Sequence, residues 1–126
     1  MSEVIVLPSE IGPGRAREVQ TLFADSWRKL VLIRLRDAAL LADHSARVPI
    51  TIHALLGKGV LNVTGERYPL TPGTIVPVDA HVVHQVRADP ALAILVTFFR
   101  QPETEEGIPI AEWEKVAHQV HGEGEQ

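Results

Sequence analysis

The sequence predicts an all-β fold, a small antiparallel jelly-roll barrel with one C-terminal α-helix. Its 126 residues suffice for one domain with one hydrophobic core. Extended segments recur about every ten residues, with Gly, Pro or Asp between them, which is typical of sandwiches and barrels. Helical periodicity occurs only near the end of the chain. We therefore expect a single domain over residues 1–126, with a barrel core from about 18 to 100 and a helix from about 109 to 120.

The first strand signals precede residue 40. Residues 4–7 form a short extended piece, and residues 18–23 alternate between apolar and polar side chains. Residues 29–36 are a dense apolar strand that is hydrophobic on both faces, and residues 37–39 are predicted to turn.

The central strand has the cleanest alternation in the chain. Residues 50–56 place four apolar side chains on one predicted face: Ile50, Ile52, Ala54 and Leu56. His53 falls on the opposite face. Residues 57–59, Gly-Lys-Gly, are predicted to turn the chain into the next strand.

Short strands and turns follow in quick succession. Thr71-Pro72-Gly73 predicts a type II turn, with Pro at its second position and Gly at its third. Asp89-Pro90 predicts a further turn. The predicted strands of this part are 60–63, 67–70, 74–78, 81–87 and 91–99, about ten for the whole chain.

The C-terminal tail follows a different pattern. An acidic loop at 102–107 precedes apolar residues at helical spacing, namely Ile110, Trp113, Ala117 and Val120. We expect one amphipathic helix that covers an open end or edge of the barrel, and partner binding is the alternative.

Composition limits the functions to consider. The net charge of −4, with acids spread along the chain, gives no basic surface for nucleic acid. The absence of cysteine removes disulfides and thiolate chemistry, so any metal would need His and carboxylate ligands. The apolar runs are too short to span a bilayer and the N-terminus lacks a basic leader, so we expect no membrane partner and a cytoplasmic location.

The strand at 50–56, the turn at Gly57, the turn at Pro72-Gly73 and then His84 follow one another in a specific order. In this order residues 31–99 resemble a cupin, whose two motifs supply a metal site. In the first motif His44 and Gly57 match, whereas Ala38, Ala46 and Ile50 stand where the family has Gly, His and Glu.

In the second motif Gly73 and His84 match. Asp79, His81 and Ala88 stand for Pro, Gly and Asn. The resemblance implies that His44 and His84 face one barrel cavity, where they are the candidate metal ligands.

The resemblance leaves the cofactor open. Cupins include oxygenases, isomerases, epimerases, decarboxylases and members that only bind small molecules, usually around a divalent metal. Imidazole suits Zn, Fe, Ni or Cu, and Mn occurs in the family. With two of four ligands kept, one divalent ion or none are both compatible with the sequence.

Other candidate residues are weaker. His53 is a substitute ligand only if a bulge turns it inward. His81 is interpreted as a turn residue that tolerates an unusual φ. Asp43 and Asp79 read as a strand-end carboxylate and a turn residue. Arg47 is a candidate partner for a ligand carboxylate or phosphate.

The sequence leaves three functions open. The first is a cupin-like cavity that binds a small molecule, with the metal and any enzymatic activity unassigned. The second is a metal-dependent oxygenase or isomerase acting on a small polar substrate. The third is a metal-free sensing or scaffolding dimer whose barrel is filled by the inward face of residues 50–56. A homodimer fits all three, because residues 29–36 are apolar on both faces.

Overall fold

The computed structural model describes residues 3–100, which form seven β-strands. The strands are β1 (Arg17–Ala24), β2 (Arg28–Leu35), β3 (Leu40–His44), β4 (Ile50–Val63), β5 (Glu66–Leu70), β6 (Ile75–Val78) and β7 (His84–Phe99). Every pairing between them is antiparallel. This confirms the all-β prediction, whereas the helix predicted at 109–120 lies outside the described residues.

Two long strands organise the barrel. The first half of β4 and the second half of β7 pair with each other and lie in the order β1-β2-β7-β4-β6. The second half of β4 and the first half of β7 also pair, in the order β3-β7-β4-β5. Because β4 and β7 run through both halves, they bend together, and the two half-sheets enclose the core.

The turns predicted at 57–59 and 89–90 are wrong, since both segments lie inside continuous strands. Gly57 pairs with Leu92 and Gly59 pairs with Ala88, so three residues of β7 bulge opposite Lys58. The Gly and Pro residues therefore mark bends within strands rather than turns between them, which reduces about ten predicted strands to seven.

Gly57 has a steric reason to be glycine. Its φ of +77° lies in the left-handed region, and a Cβ there would collide with the carbonyl oxygen of Ala91. The bend brings the backbones of β4 and β7 so close that a side chain has no room.

Of the remaining predictions, one turn is confirmed and two strand assignments differ from the structure. Thr71-Pro72-Gly73 turns as predicted, because Thr74 N donates to the Thr71 carbonyl at 3.0 Å and Gly73 has a φ of +95°. Residues 4–7 form no strand, while β3, which lacks β-branched residues, was not predicted.

The core fills the space between the half-sheets. Its largest fully buried side chains are Leu32, Leu35, Ile52, Leu61, Leu70, Leu92, Ile94 and Val86. Ile50, Ile52 and Ala54 alternate inward as predicted, at 3%, 1% and 0% exposure. A bulge at Leu55 ends the alternation before Leu56.

Arg36 fastens the N-terminal segment to this barrel. Its buried guanidinium donates to the carbonyl oxygens of Ile11, Gly12 and Arg15 and to Glu18 Oε1, at distances between 2.7 and 3.0 Å. The Arg36 hydrogen bond lowers the pKa of Glu18, desolvation opposes that shift, and the charge of the guanidinium lowers the pKa further. The buried charge is therefore satisfied by a structural contact, not held free for chemistry.

Candidate functional site

A cavity of about 300 Å³ lies between the half-sheets. Its walls are mainly aliphatic side chains and one aromatic: Ile33, Leu41, Ala46, Val48, Ile50, Ile52, Val86, Ile94, Val96 and Phe98. Four polar residues complete the lining, namely His44, Ser45, Arg47 and His84. Such a cavity, apolar with a few polar groups gathered together, has the character of a small-molecule site.

Strand pairing brings the two histidines together. His44 ends β3 and His84 begins β7, and the two are register partners in that antiparallel pair. Their ring centroids lie 4.2 Å apart at an interplanar angle of 61°. His84 is only 2% exposed, whereas His44 is exposed and therefore stands at the mouth of the cavity.

Each imidazole is fixed by the same short-range hydrogen bond. His44 Nδ1 lies 2.9 Å from the carbonyl oxygen of Ala42, and His84 Nδ1 lies 3.0 Å from that of Val82. A carbonyl oxygen only accepts, so Nδ1 carries the proton in both rings. When the rings are neutral, both Nε2 atoms keep a lone pair that can accept a hydrogen bond or bind a metal ion.

Burial keeps His84 neutral. Desolvation lowers the pKa of His84, the hydrogen bond to Val82 opposes that shift, and the neighbouring His44 lowers the pKa further. The buried ring is therefore an acceptor at neutral pH, because protonation there would place a second donor in an apolar wall.

Arg47 supplies the only cationic side chain that lines the cavity within residues 3–100. It lies in the loop between β3 and β4 and is exposed, as is its neighbour in the lining, Ser45. No Asp or Glu of the described chain lines the same cavity. The mouth therefore combines a positive charge with hydrogen-bonding groups, which suits an anionic ligand group.

The other candidate residues lie away from the cavity lining. His53 is half-buried on β4, on the face opposite Ile52, and does not line the cavity. His81 is an exposed turn residue with a φ of +68°, and its N–H donates to the Ala46 carbonyl at 2.7 Å. Asp43 and Asp79 are exposed and also lie outside the lining.

The donor set does not fit a resident metal centre. Ala46 and Ile50 line the cavity with hydrocarbon where the cupin motif has two ligands. Among residues 3–100, no group of three or more His, Cys, Asp or Glu is placed to hold a metal ion. Two imidazoles fall short of the three or four protein ligands that such centres use.

Sequence reasoning missed most of the cavity wall. Ile94, Val96 and Phe98 line the cavity from alternate positions of β7. Their alternate positions could be recognised within the strand predicted at 91–99. The pattern of a single strand did not show which of its two faces would enclose a cavity.

Comparisons with known proteins identify the fold. No protein-family model matches the chain, and no curated protein matches its sequence. An RmlC-like cupin from Shewanella frigidimarina is 25% identical, with a TM-score of 0.64 over 74% of this chain and 82% of its own. An RmlC-like cupin from Desulfovibrio desulfuricans is 19% identical, with a TM-score of 0.65 over 76% and 97%.

A third structure resembles the chain at lower identity. It is a conserved Klebsiella pneumoniae protein with a double-stranded β-helix domain, 12% identical, with a TM-score of 0.68 over 79% of this chain and 90% of its own. All three coverages extend over most of residues 3–100, and two of the three proteins are themselves described as cupins. The chain therefore has the cupin fold, as the resemblance in its sequence predicts.

Proposed function

We propose that the protein binds a small organic anion in the barrel cavity, with the apolar part of the ligand inside and a hydroxyl or N–H group on the histidine pair. The proposal rests on the observation that Nδ1 of both His44 and His84 donates to a backbone carbonyl. Two Nε2 acceptors are thereby left for a ligand. A ligand that donates a hydrogen bond to a neutral imidazole satisfies an acceptor that is otherwise buried without a partner.

The walls favour a ligand with a compact hydrocarbon or aromatic part. Ile50 and Ile52 of β4 pair with Phe98 and Val96 of β7, and Ile94 adds a further aliphatic side chain to the lining. A volume of about 300 Å³ lies at the lower end of the range for ligand sites. Burying the equivalent of one large apolar side chain contributes about 2 kcal/mol.

Arg47 selects the charge of the ligand. A guanidinium binds a carboxylate through paired hydrogen bonds, and no acidic side chain among residues 3–100 lines the cavity to compete for it. The preferred ligand therefore has a carboxylate close to a hydroxyl or N–H, since Arg47 follows His44 by three residues at the same mouth.

Three related probes test the two polar contacts separately. Mandelate carries a phenyl ring, a hydroxyl and a carboxylate, phenylacetate lacks the hydroxyl, and 1-phenylethanol lacks the carboxylate. We expect calorimetry to give mandelate the highest affinity, with each missing group weakening binding about tenfold, or roughly 1.4 kcal/mol. The protein is first treated with chelator, so that binding does not depend on added metal.

Matched variants locate the binding. His84→Ala should weaken mandelate far more than phenylacetate, and Arg47→Gln should weaken both carboxylates but leave 1-phenylethanol unchanged. His53→Ala is the control, because His53 does not line the cavity. Equal affinity for all three probes, or equal losses in His84→Ala and His53→Ala, would count against the proposal.

The two competing hypotheses make different predictions. A filled barrel disagrees with the cavity that lies against Ile50 and Ile52. A metal-dependent oxygenase or isomerase requires ligands beyond His44 and His84, and the described residues supply no third. Elemental analysis of protein purified without chelator checks this: one metal per chain, lost in His44→Ala, would favour the enzyme, and no metal even after soaking would favour the organic ligand.

A further inference from the structure

A second concave surface lies on the outside of the barrel, away from the histidines. It is a groove of about 270 Å³ across β3, β7, β4 and β5, lined by Leu40, Val60, Asn62, Arg67, Gln85 and Arg87. Leu61 and Val86 point into the core at 0% and 1% exposure. Because strand neighbours point to opposite faces, Asn62, Gln85 and Arg87 must point outward.

Strand register gathers the polar groups into adjacent rows. Arg67 pairs with Asn62, and Asn62 pairs with Gln85, so these three lie side by side across β5, β4 and β7. Arg87 lies two residues further along β7, next to Leu40 of β3. The two arginine Cα positions are thus separated by roughly 10 Å across the strands and about 7 Å along them, and their long side chains can reach one bound group.

The groove offers hydrogen-bond donors. Asn62 Oδ1 accepts from Gly65 N at 3.1 Å, which leaves the side-chain NH2 as the free end of that amide. Arg87 donates one N–H to the Ala38 carbonyl at 3.3 Å and keeps its other N–H groups. A third guanidinium lies at the rim, since Arg17 Nε donates to the Leu40 carbonyl at 2.8 Å.

The charge of the groove contrasts with that of the chain. The whole sequence carries −4, yet no Asp or Glu among residues 3–100 lines the groove. Glu66 pairs with the hydroxyl of Tyr68 at 2.7 Å, and both alternate with Arg67 along β5, so that carboxylate lies on the other face of the strand. The two lining guanidinium groups therefore have no carboxylate partner in the groove.

We propose that this groove binds the phosphate group of a small molecule, with Arg67 and Arg87 as the charged contacts and Asn62 and Gln85 as amide contacts. A phosphate oxyanion presents acceptors in several directions, which matches donors that converge from three strands, β5, β4 and β7. A carboxylate has two acceptor oxygens in one plane and satisfies fewer of them. The site is separate from the barrel cavity, because the two share no lining residue.

The test is an amide NMR titration of the full chain with inorganic phosphate at constant ionic strength. We expect saturable shifts at the amides of Asn62, Gln85 and Arg87, and affinity for acetate at least tenfold weaker. The double variant Arg67→Gln/Arg87→Gln should weaken phosphate binding at least tenfold. Lys29→Gln/Arg34→Gln removes the same charge from β2 and should change the affinity less than twofold.

Any of four results would overturn the proposal. The first is a set of shifts that do not saturate, and the second is a loss in the β2 variant equal to that in the groove variant. The third is acetate binding as tight as phosphate binding. Shifts that gather around His44 and His84 would likewise assign the phosphate to the cavity instead of the groove. Each variant is checked for an unchanged amide spectrum elsewhere, so loss of fold is distinguished from loss of binding.

Discussion

The histidine pair combines two residues whose surroundings differ. Both rings donate from Nδ1 to a carbonyl two residues earlier in the chain, yet His84 is buried and His44 is exposed. The buried ring therefore has the lowered pKa, and in the proposed function it is the fixed acceptor of the pair, while the exposed ring is the first that an entering ligand would meet.

Acid should destabilise the protein through His84. Its folded pKa lies below the ordinary value of 6.5, mainly because of burial, so on acidification the unfolded chain takes up a proton before the folded chain does. The contribution of neutral His84 to the free energy of unfolding is fully present above about pH 6.5 and is lost as the pH falls toward the pKa of His84 in the folded protein. We expect denaturant unfolding at pH 7.5, 6.5 and 5.5 to show this decline.

The change of the free energy of unfolding with pH, compared between variants, separates the effect of His84 from that of other acid-sensitive groups. His84→Gln should flatten the decline between pH 7.5 and 5.5, whereas His53→Gln, which also removes one histidine, should keep it. An unchanged slope in His84→Gln would mean that other groups cause the acid sensitivity.

Among residues 3–100, four non-glycine residues have a positive φ, and two of these occupy positions of the cupin motifs. Ala38 has a φ of +56° and His81 a φ of +68°, and these are two of the positions where the cupin motifs have Gly. A side chain with a Cβ disfavours this backbone conformation by about 1 kcal/mol. Replacement by Gly relieves that strain, but the greater conformational entropy of glycine in the unfolded chain offsets part of the gain. Ala38→Gly and His81→Gly should therefore leave the free energy of unfolding unchanged or raise it by up to about 1 kcal/mol.

Ala39→Gly is the matched comparison. Ala39 is 7% exposed and has no positive φ, so its replacement loses buried surface and should lower the free energy of unfolding by about 1 kcal/mol. Chemical denaturation measures all three variants. A loss in Ala38→Gly as large as that in Ala39→Gly would contradict the argument from φ.

For the two histidines, the sequence was a better guide to their shared location than to the environment of each ring. The positions of His44 and His84 in the motif pattern were enough to expect a shared cavity. The tautomer was not predictable, because it depends on two backbone carbonyls, and the exposure of each ring depends on the neighbouring strands.

The bends of β4 and β7 determine where the cavity lies. Between Ala54 and Gly59 the register shifts twice, and the strands pass from one half-sheet to the other. The N-terminal half of β4 then lines the cavity with Ile50 and Ile52, while its C-terminal half carries Asn62 on the outer groove. One strand therefore contributes to both proposed sites.

Gly57→Ala should disrupt this bend. The new methyl group would collide with the Ala91 carbonyl, and the positive φ adds strain, so we expect a loss of more than about 2 kcal/mol in the free energy of unfolding. Gly73→Ala is the control, because Gly73 also has a positive φ but open space around its Cβ position. Its expected cost is about 1 kcal/mol. Equal losses in the two variants would show that the contact with β7 contributes nothing.

Turn chemistry explains which elements were predictable. Thr71-Pro72-Gly73 has a local hydrogen bond that its own residues specify, and its prediction is confirmed. Gly57 and Asp89-Pro90 have the same residue types, but long-range pairing between β4 and β7 holds them inside strands. Local signals could not distinguish a bend from a turn.

At the scale of the molecule, the two long strands β4 and β7 run through both half-sheets, and the cavity lies between those half-sheets. The structure describes no helix long and apolar enough to cross a membrane within residues 3–100. The cytoplasmic location and the homodimer stay predictions. Sedimentation against a chain mass of 13.8 kDa tests the dimer directly.

The central claim is that the two imidazoles offer Nε2 to an organic ligand in the cavity. Long-range ¹H–¹⁵N NMR of the histidine rings, on metal-depleted full-length protein at pH 7.5, measures this most directly. We predict Nδ1–H tautomers for His44 and His84, and a change at Nε2 on adding mandelate that phenylacetate does not produce. Nε2–H tautomers, or ring nitrogens that do not respond to mandelate, would contradict it.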